Sequence, residues 1–316
     1  MQLLRSLMFV PGHRPRMVQR ALALGEFSPS ALDVAILDLE DGVPQDEKDR
    51  ARAAVAAVLA VPPSGDGPAR YVRVNRDLAP RDADLAAVLR WGLDGIVAPK
   101  IDHADEIADL AGDLDEREDA AGLERGSIRL VPSIESAQGL LEAHAIAASS
   151  ERVVALLFGA EDFARDLALP TAREGEAAEL VYARSAIVVA AVAARRQAID
   201  GIWPDVADND SLRRDAVQAR RLGFSGKSLI HPGQIDTIND VFSPSAAEVS
   251  HARRVIEAFE EAELKGLGAV ALDGKLLDQP IVERARRTLV LHDAASRKQR
   301  TPPVERPAAL EGKRLK

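Results

Sequence analysis

Acidic side chains directly follow three apolar runs of the sequence, at positions from which they could bind a cation or move a proton. Glu40 and Asp41 follow the first of these runs, Glu135 follows the second, and Asp162 lies three residues after the third. Carboxylates that come together in a fold can hold a hard divalent ion or exchange protons with a substrate. The pattern therefore indicates chemistry that depends on carboxylates.

Glu135 and Asp162 form the pair of greatest interest, and two interpretations of it stay open. If the runs before them are neighbouring strands of one parallel sheet, the two carboxylates lie close together and can bind Mg²⁺. Alternatively, each acid only stabilises the start of the helix that follows, where negative charge is favoured. The sequence alone does not separate a metal site from two helix caps.

Three basic residues also lie within or after apolar runs. Arg73 is enclosed in the run YVRVN, where an unpaired charge would be costly. It either binds a substrate carboxylate or forms a buried structural pair with Glu40 or Asp41. Lys100 follows a strand end, a position that also occurs in aldolases that form a Schiff base, and His231 is the one histidine at a strand end.

A cluster of arginines follows a turn at Pro11 and Gly12 near the start of the chain. Arg14, Arg16 and Arg20 enter a predicted helix there, although cations near a helix start oppose the helix dipole. This arrangement either binds phosphate or is simply a solvated helix face.

The elements that must position these residues alternate between short apolar strands and longer helical segments. Such alternation predicts a parallel sheet covered by helices. No G-x-G-x-x-G fingerprint and no Walker A sequence supports the competing doubly wound nucleotide-binding fold. We therefore predict a (β/α)8 barrel, whose strands end at a common active-site mouth. Its predicted strands are 7–10, 34–39, 71–75, 95–99, 128–134, 153–159, 201–203 and 226–231.

The barrel is predicted to be one of three parts of the chain. Residues 1–235 form the catalytic barrel, and residues 236–295 form a C-terminal helical extension with a short hairpin between two helices. The basic, proline-rich segment 296–316 has little to bury and is predicted to be a disordered tail.

Composition limits the classes of function. The 316 residues carry a formal charge of −9, which argues against nucleic acid or an anionic membrane as the main partner. No cysteine is present, so thiolate metal ligands and a cysteine nucleophile are excluded. The apolar N-terminal run ends at Pro11 and is too short for a signal peptide, and no run is long enough for a membrane span. We expect a cytoplasmic enzyme.

A series of motifs along the chain resembles the citrate lyase β-subunit/malyl-CoA lyase family of the HpcH/HpaI aldolase superfamily. The motifs occur in order between about residues 5 and 291, so that the resemblance covers nearly the whole globular chain. They are R-S-x-x-F-V-P-G, D-L-E-D-G-V, R-V-N, P-K, P-S-I-E-S-A-x-G-L, F-G-A-E-D-F, G-F-x-G-K-x-x-I-H-P-x-Q and F-x-P.

The resemblance implies a (β/α)8 barrel that needs Mg²⁺ and forms homotrimers or hexamers. It implies cleavage or formation of a C–C bond in a β-hydroxyacyl thioester such as citryl-, malyl- or citramalyl-CoA, with a keto acid as one product. Some family members hydrolyse the thioester instead. By motif, Glu135 and Asp162 match the magnesium ligands, and Arg73 matches the arginine that binds the substrate.

Further residues carry roles that only the resemblance implies. Glu40 and Asp41 match an acidic pair near the water ligands of the metal, and we count Glu40 among the catalytic residues. Asp278, from a C-terminal segment of a neighbouring subunit, matches the general acid/base, with Asp273 as the alternative. The positions expected to contact CoA are Phe9, Arg16, Arg20, Ile230 and His231.

Three functional alternatives follow from these observations. The first is a self-sufficient lyase or synthase for CoA thioesters, and the second is a citrate lyase β subunit that acts on a thioester held by an acyl carrier. The third is a non-catalytic barrel, which would be expected to have lost one of the carboxylates Glu135 and Asp162; both are present.

Overall fold

The chain forms a closed barrel of eight parallel strands, as the sequence predicts. The computed structural model describes residues 2–24, 31–61, 67–169, 178–264 and 266–299. The strands pair in chain order, and β1 pairs with β8 to close the barrel. They are β1 Ser6–Pro11, β2 Val34–Asp38, β3 Ala69–Arg73, β4 Gly95–Ala98, β5 Arg129–Ile134, β6 Ala155–Phe158, β7 Gln197–Asp200 and β8 Gly226–Leu229.

The strands form because their side chains are apolar on both faces of the sheet. Along β2, Val34 and Ile36 belong to the core inside the barrel, whereas Ala35 and Leu37 pack in the layer between barrel and helices. This alternation has a period of two residues, so side chains two positions apart point to the same side. Strands buried on both faces are typical of a parallel sheet covered by helices.

Ten helices accompany the barrel strands in the described part of the chain. Helix α9, for example, begins after the N-cap Asp208, whose side chain accepts a hydrogen bond from the Ser211 amide, and ends at Gly223 in the left-handed conformation. No helix among the described residues combines the length and apolarity that a membrane span requires. The helices are α1 Pro15–Leu22, α2 Lys48–Leu59, α3 Leu78–Val88, α4 Ala104–Ala121, α5 Ala137–Leu141, α6 Ala143–Ala148, α7 Ala160–Asp166, α8 Val181–Ala193, α9 Asn209–Leu222 and α10 Ile235–Phe242.

The seventh strand differs from the prediction of 201–203. It occupies Gln197–Asp200, a segment directly after the predicted helix 185–196. Arg195 adopts φ 59°, which ends α8 and turns the chain into the strand within a few residues. The predicted strand was misplaced because the run before Gly201 has only two central apolar residues, Ala198 and Ile199.

A buried charge cluster joins the last two strands to their helices. Lys227 of β8 is fully buried, and its Nζ lies 2.5 Å from Asp200 Oδ2 and 2.6 Å from Asp215 Oδ2. Arg184 of α8 contacts the same two carboxylates at 2.8 and 3.1 Å. Two cations and two anions neutralise one another there, as burial of charge requires.

The C-terminal extension consists of two long helices and a hairpin. Helices α11 (Ala246–Leu264) and α12 (Gln279–Gln299) flank the antiparallel strands β9 (Val270–Leu272) and β10 (Lys275–Leu277). The turn between these strands, at Asp273 and Gly274, has positive φ at both residues, as a two-residue hairpin favours. The extension has a core of its own around Val255, Phe259 and Val282.

Helix α12 runs four residues into the segment that the sequence predicts to be disordered. Near its end, Lys298 Nζ lies 3.4 Å from Asp33 Oδ1, just before β2. This contact explains why the helix continues past residue 296, the predicted boundary of the tail. Residues 300–316 lie outside the described residues, so that the prediction of disorder for them stays a prediction.

Candidate active site

A cavity of about 320 Å³, which we call the mouth cavity, lies at the carboxyl ends of the barrel strands. The sequence-predicted residues that line it are Phe9, Arg73, Glu135, Asp162 and Ile230. The fold brings them together by the alternation of strand side chains: Tyr71 and Val131 point into the barrel. Arg73 and Glu135 lie two and four positions further along, so they point into its mouth.

Glu135 is the most unusual carboxylate of the mouth cavity. Its side chain is buried, and its Oε2 has no hydrogen-bond partner among the described residues. Burial raises the pKa of Glu135 to about 7, and the charges of Asp162 and Glu40 act in the same direction, whereas Ser133 and Arg73 lower the pKa. Burying a carboxylate oxygen without a partner costs free energy. A bound cation would offset this cost, so the Glu135 side chain is suited to bind one.

A glycine keeps the space next to Glu135 open. A Cβ atom at Gly159 would lie only 2.2 Å from Glu135 Cγ, so that any other residue would displace the carboxylate. Gly159 lies between β6 and α7, and α7 carries Asp162 in its first turn. The F-G-A-E-D-F motif therefore supplies Asp162 and also, through Gly159, the space that the Glu135 side chain occupies.

Asp162 is more exposed than Glu135, and one of its two carboxylate oxygens forms an ion pair. Its Oδ1 lies 2.6 Å from Arg165 Nη2, one turn further along α7, and its side chain is 23% exposed. Its position in the first helical turn also stabilises the helix by charge, so that the interpretation as a helix-start acid holds alongside any role in metal binding. The second oxygen leaves capacity for a ligand in the cavity.

Arg73 is anchored by ion pairs while it lines the mouth cavity. Its Nε and Nη2 each lie 2.7 Å from an oxygen of Asp38, and its Nη1 lies 3.1 Å from Glu40 Oε2. Its guanidinium also lies 4.7 Å from the centre of the Phe9 ring. Although burial opposes its charge, Asp38 and Glu40 raise the pKa of Arg73. Arg73 is therefore a fixed cation at the cavity wall, and its main partner is Asp38.

Asp38 itself fixes the turn after β2. Its two oxygens accept hydrogen bonds from the amides of Glu40 and Gly42, at 2.9 and 2.8 Å. The sequence analysis missed that the same carboxylate binds Arg73. Nothing in the spacing between residues 38 and 73 signals this contact, which depends on the pairing of β2 with β3.

Lys100 links the acidic pair across the mouth. Its Nζ donates to Glu40 Oε1 and, at 2.7 Å, to Asp41 Oδ2. Burial opposes its charge, but these hydrogen bonds raise the pKa of Lys100. A Schiff base needs a neutral amine, so this environment argues against the Schiff-base interpretation. Lys100 also adopts φ 54°, an uncommon conformation for a long side chain.

The residues expected to contact CoA are divided between the cavity and the surface. Phe9 and Ile230 line the mouth cavity, but Arg16 and Arg20 lie exposed on α1 and do not line it. His231 is exposed, and its Nδ1 accepts a hydrogen bond from the Gly233 amide at 3.0 Å. The choice between phosphate binding and a solvated face stays open for the arginines.

Asp278 does not reach the mouth cavity of its own barrel. It is exposed and directly precedes α12, and its backbone oxygen accepts a hydrogen bond from the Val282 amide at 3.2 Å. The far end of α12 lies at the amino ends of the strands, where Lys298 contacts Asp33. Asp273, the alternative acid, is paired with Arg254 at 2.7 Å.

Several lining residues escaped the sequence analysis. Met17, Ser133, Ile202 and Ser228 line the mouth cavity beside the predicted residues. Ser133 could have been recognised, since it precedes Glu135 by two residues and so points into the barrel as well. Met17 lies among the N-terminal arginines, and no pattern in the sequence indicated that it lines a cavity.

Comparisons with known proteins agree with this fold. A family model described as HpcH/HpaI aldolase/citrate lyase matches residues 5–232. The citrate lyase subunit beta of Escherichia coli K12 is 41% identical over 286 residues, which are 90% of this chain and 92% of that protein. A (3S)-malyl-CoA thioesterase of Cereibacter sphaeroides is 34% identical over 291 residues, which are 92% and 95% of the two chains.

A solved structure supports the same relationship. Protein CitE from Mycobacterium tuberculosis, in complex with magnesium, acetoacetate and coenzyme A, superimposes with a TM-score of 0.73 at 29% identity, covering 92% of this chain and 98% of that chain. The family model matches most of the barrel, and the Escherichia coli subunit is 41% identical over 90% of this chain. This chain belongs to the HpcH/HpaI aldolase/citrate lyase family.

Proposed function

We propose that the protein is a magnesium-dependent C–C lyase or synthase that acts on a β-hydroxyacyl thioester such as citryl-, malyl- or citramalyl-CoA. In the cleavage direction it releases a keto acid and an acyl thioester. The observation that carries the proposal is the buried carboxylate of Glu135 beside Asp162 in the mouth cavity, with one oxygen that has no partner in the described part of the chain. A metal, a keto acid and coenzyme A occur together in the related CitE structure.

The residues of the mouth cavity fit Mg²⁺. The described part of the chain contains no group of three or more His, Asp or Glu side chains arranged for a metal ion. Mg²⁺ does not require one, because it binds through one or two carboxylates and keeps several waters or substrate oxygens. Glu135 and Asp162 would hold it, and it would act as a Lewis acid toward the oxygens of the substrate.

Arg73 then acts on the substrate from the cavity wall, and Glu40, which is not among the described residues that line the cavity, acts through its contact with Arg73. Arg73 is held rigidly by Asp38, so that its charge faces the cavity without reorganisation during the reaction. It binds the keto-acid oxygens or stabilises the thioester enolate that remains when the C–C bond breaks. Glu40, held by Lys100 and Arg73, orients groups near the metal site.

We propose that Asp278 of a neighbouring copy moves the proton at the α-carbon of the thioester. In its own chain Asp278 lies outside the mouth cavity, so this role requires a homotrimer or hexamer. The exposed side chain and the separate small core of the extension support this arrangement, because the extension can pack on another barrel without loss of its own fold. Phe9, Ile230, His231, Arg16 and Arg20 are proposed to contact CoA.

Thioester hydrolysis is the second candidate function. The relative from Cereibacter sphaeroides is a (3S)-malyl-CoA thioesterase and aligns over 92% of this chain. A thioesterase and a lyase need the same carboxylate pair and differ in whether water or the C–C bond reacts. Activity on a thioester held by an acyl carrier is the corresponding alternative for the substrate. The cytoplasmic location stays a prediction from the sequence.

A substrate screen tests the proposal. Purified protein with Mg²⁺ is incubated with citryl-, malyl-, citramalyl- and methylmalyl-CoA, while keto acid and free CoA are measured separately. A lyase releases keto acid together with an acyl thioester, whereas a thioesterase releases free CoA and leaves the hydroxy acid intact. Absence of both products from every CoA thioester, followed by keto-acid release from an acyl-carrier thioester, would favour the β-subunit alternative.

A further inference from the structure

A second cavity lies at the opposite end of the barrel from the mouth. This rear pocket has a volume of about 500 Å³. It lies at the amino ends of β5 and β7, where Arg129 and Gln197 begin their strands, and Arg287 of α12 also lines it. The volume is in the range of pockets that hold small ligands, and none of the residues that line the mouth cavity takes part in it.

Arginine side chains dominate the rear pocket. Arg129, Arg195, Arg196 and Arg287 line it, against a single acid, Glu151. Glu151 is 97% exposed and already lies 3.3 Å from Arg196. Neighbouring cations repel one another, and an anion between them would remove this repulsion. This local excess is opposite in sign to the net charge of −9 of the chain.

Three of these arginines have no internal partner. All three are exposed, and within residues 2–24, 31–61, 67–169, 178–264 and 266–299 no hydrogen bond or ion pair involves the guanidinium of Arg129, Arg195 or Arg287. Most other cations around the barrel are paired, as Arg5 is with Asp33 and Arg152 is with Glu118. The three guanidinium groups are therefore available to a ligand.

The backbone at Arg195 adds an independent observation. Its φ of 59° lies in the left-handed region at the end of α8, a position where glycine is normally favoured. The fold itself requires only a turn at this point, and a long cationic side chain there carries a conformational cost. Outliers of this kind cluster at functional sites.

We propose that the rear pocket binds a polyphosphate anion, of the kind carried by a nucleoside triphosphate or by inorganic polyphosphate. Planar guanidinium groups match phosphate oxygens in pairs of parallel hydrogen bonds. The apolar wall formed by Val153, Val154 and Val192 offers contact to an organic part of the ligand. The rear pocket shares no lining residue with the mouth cavity, so it is separate from the proposed active site.

Isothermal titration tests this proposal with ATP, inorganic triphosphate and citrate as probes, in EDTA to exclude metal-dependent binding at the mouth. ATP or triphosphate should bind, and binding should weaken as the salt concentration rises. Tighter binding of ATP identifies a nucleotide as the ligand, whereas equal binding of both identifies the phosphate chain alone. Binding of citrate in preference to both phosphates, or of none of the probes, would overturn the proposal.

Variants assign the binding to the rear pocket. Arg195→Gly removes one cation and relieves the left-handed backbone, so it should fold normally. This variant and Arg287→Gln should each weaken binding by roughly tenfold, since one charge-assisted hydrogen bond to phosphate is lost. Arg221→Gln, at an exposed arginine outside the pocket, is the matched control and should bind as the unaltered protein does. Equal affinity of all three variants would contradict the assignment.

Discussion

Replacing Glu135 by glutamine should make the metal-free protein more stable while it abolishes magnesium binding. Burial raises the pKa of Glu135 from 4.5 to about 7. In the unfolded chain the same carboxyl titrates at its ordinary value, so the folded state is penalised once the group must ionise. Glutamine has nearly the same shape without the charge and therefore avoids this penalty.

The size of the effect follows from the difference between the folded and unfolded pKa values of Glu135. A tenfold change in an acid dissociation constant corresponds to about 1.4 kcal/mol, so that the rise to about 7 gives roughly 3 kcal/mol at about pH 8. The direction of the change fixes the sign: the penalty is absent below the unfolded pKa and grows as pH rises toward the folded pKa. At about pH 5 the difference between the two proteins should be below about 1 kcal/mol.

Urea unfolding in EDTA at about pH 5 and about pH 8 measures this difference. Addition of Mg²⁺ should then stabilise the unaltered protein but not Glu135→Gln, because a ligand that binds only the folded state stabilises it. Glu116→Gln, at an exposed position of α4, is the matched control and should change neither quantity. A glutamine variant that is less stable than the unaltered protein at about pH 8, or that is still stabilised by Mg²⁺, would refute the assignment of Glu135.

Three other predictions follow from the contacts. Arg73→Lys keeps the charge but loses the planar fork; kcat/KM should fall roughly 100-fold while Mg²⁺ still binds, and an unchanged rate would show that Arg73 is only structural. Mixing the inactive variants Asp278→Ala and Glu135→Ala under conditions of subunit exchange should restore part of the activity, and no recovery despite proven exchange would exclude action in trans. Burial opposes the charge of Asp33, but Arg5 lowers the pKa of this carboxyl below 3.8. The carboxylate therefore stabilises the fold above that pH, and this contribution is lost as pH falls through the lower pKa of the folded state. Asp33→Asn should therefore destabilise the protein at neutral pH more than at about pH 3, as measured by urea unfolding; equal losses at both would contradict the ion pair.

The barrel and the composition of its mouth were predictable because both depend on short-range patterns. Apolar runs of strand length marked seven of the eight strands at or near their observed positions, and polar residues within or directly after them marked Arg73 and Glu135. The seventh strand was misplaced because its run has only two central apolar residues, Ala198 and Ile199, and because the left-handed residue Arg195, which is not a glycine, gave no signal that α8 ends before it.

Contacts between distant parts of the chain could not be predicted. The pairing of Arg73 with Asp38 depends on the register of β2 and β3, and the rear pocket depends on α12 crossing the amino ends of the strands. The two carboxylates of Asp200 and Asp215 around Lys227 were missed for the same reason. Such contacts arise from tertiary packing, and the sequence around each residue carries no trace of them.

The most direct test of the proposed function is the release of keto acid from the best CoA thioester by metal-free protein, before and after addition of Mg²⁺. We predict no release in EDTA, restoration by Mg²⁺, and no restoration in Glu135→Ala or Asp162→Ala. Keto-acid release that continues unchanged in EDTA, or that Mg²⁺ restores fully in both variants, would contradict a magnesium-dependent lyase built on these two carboxylates.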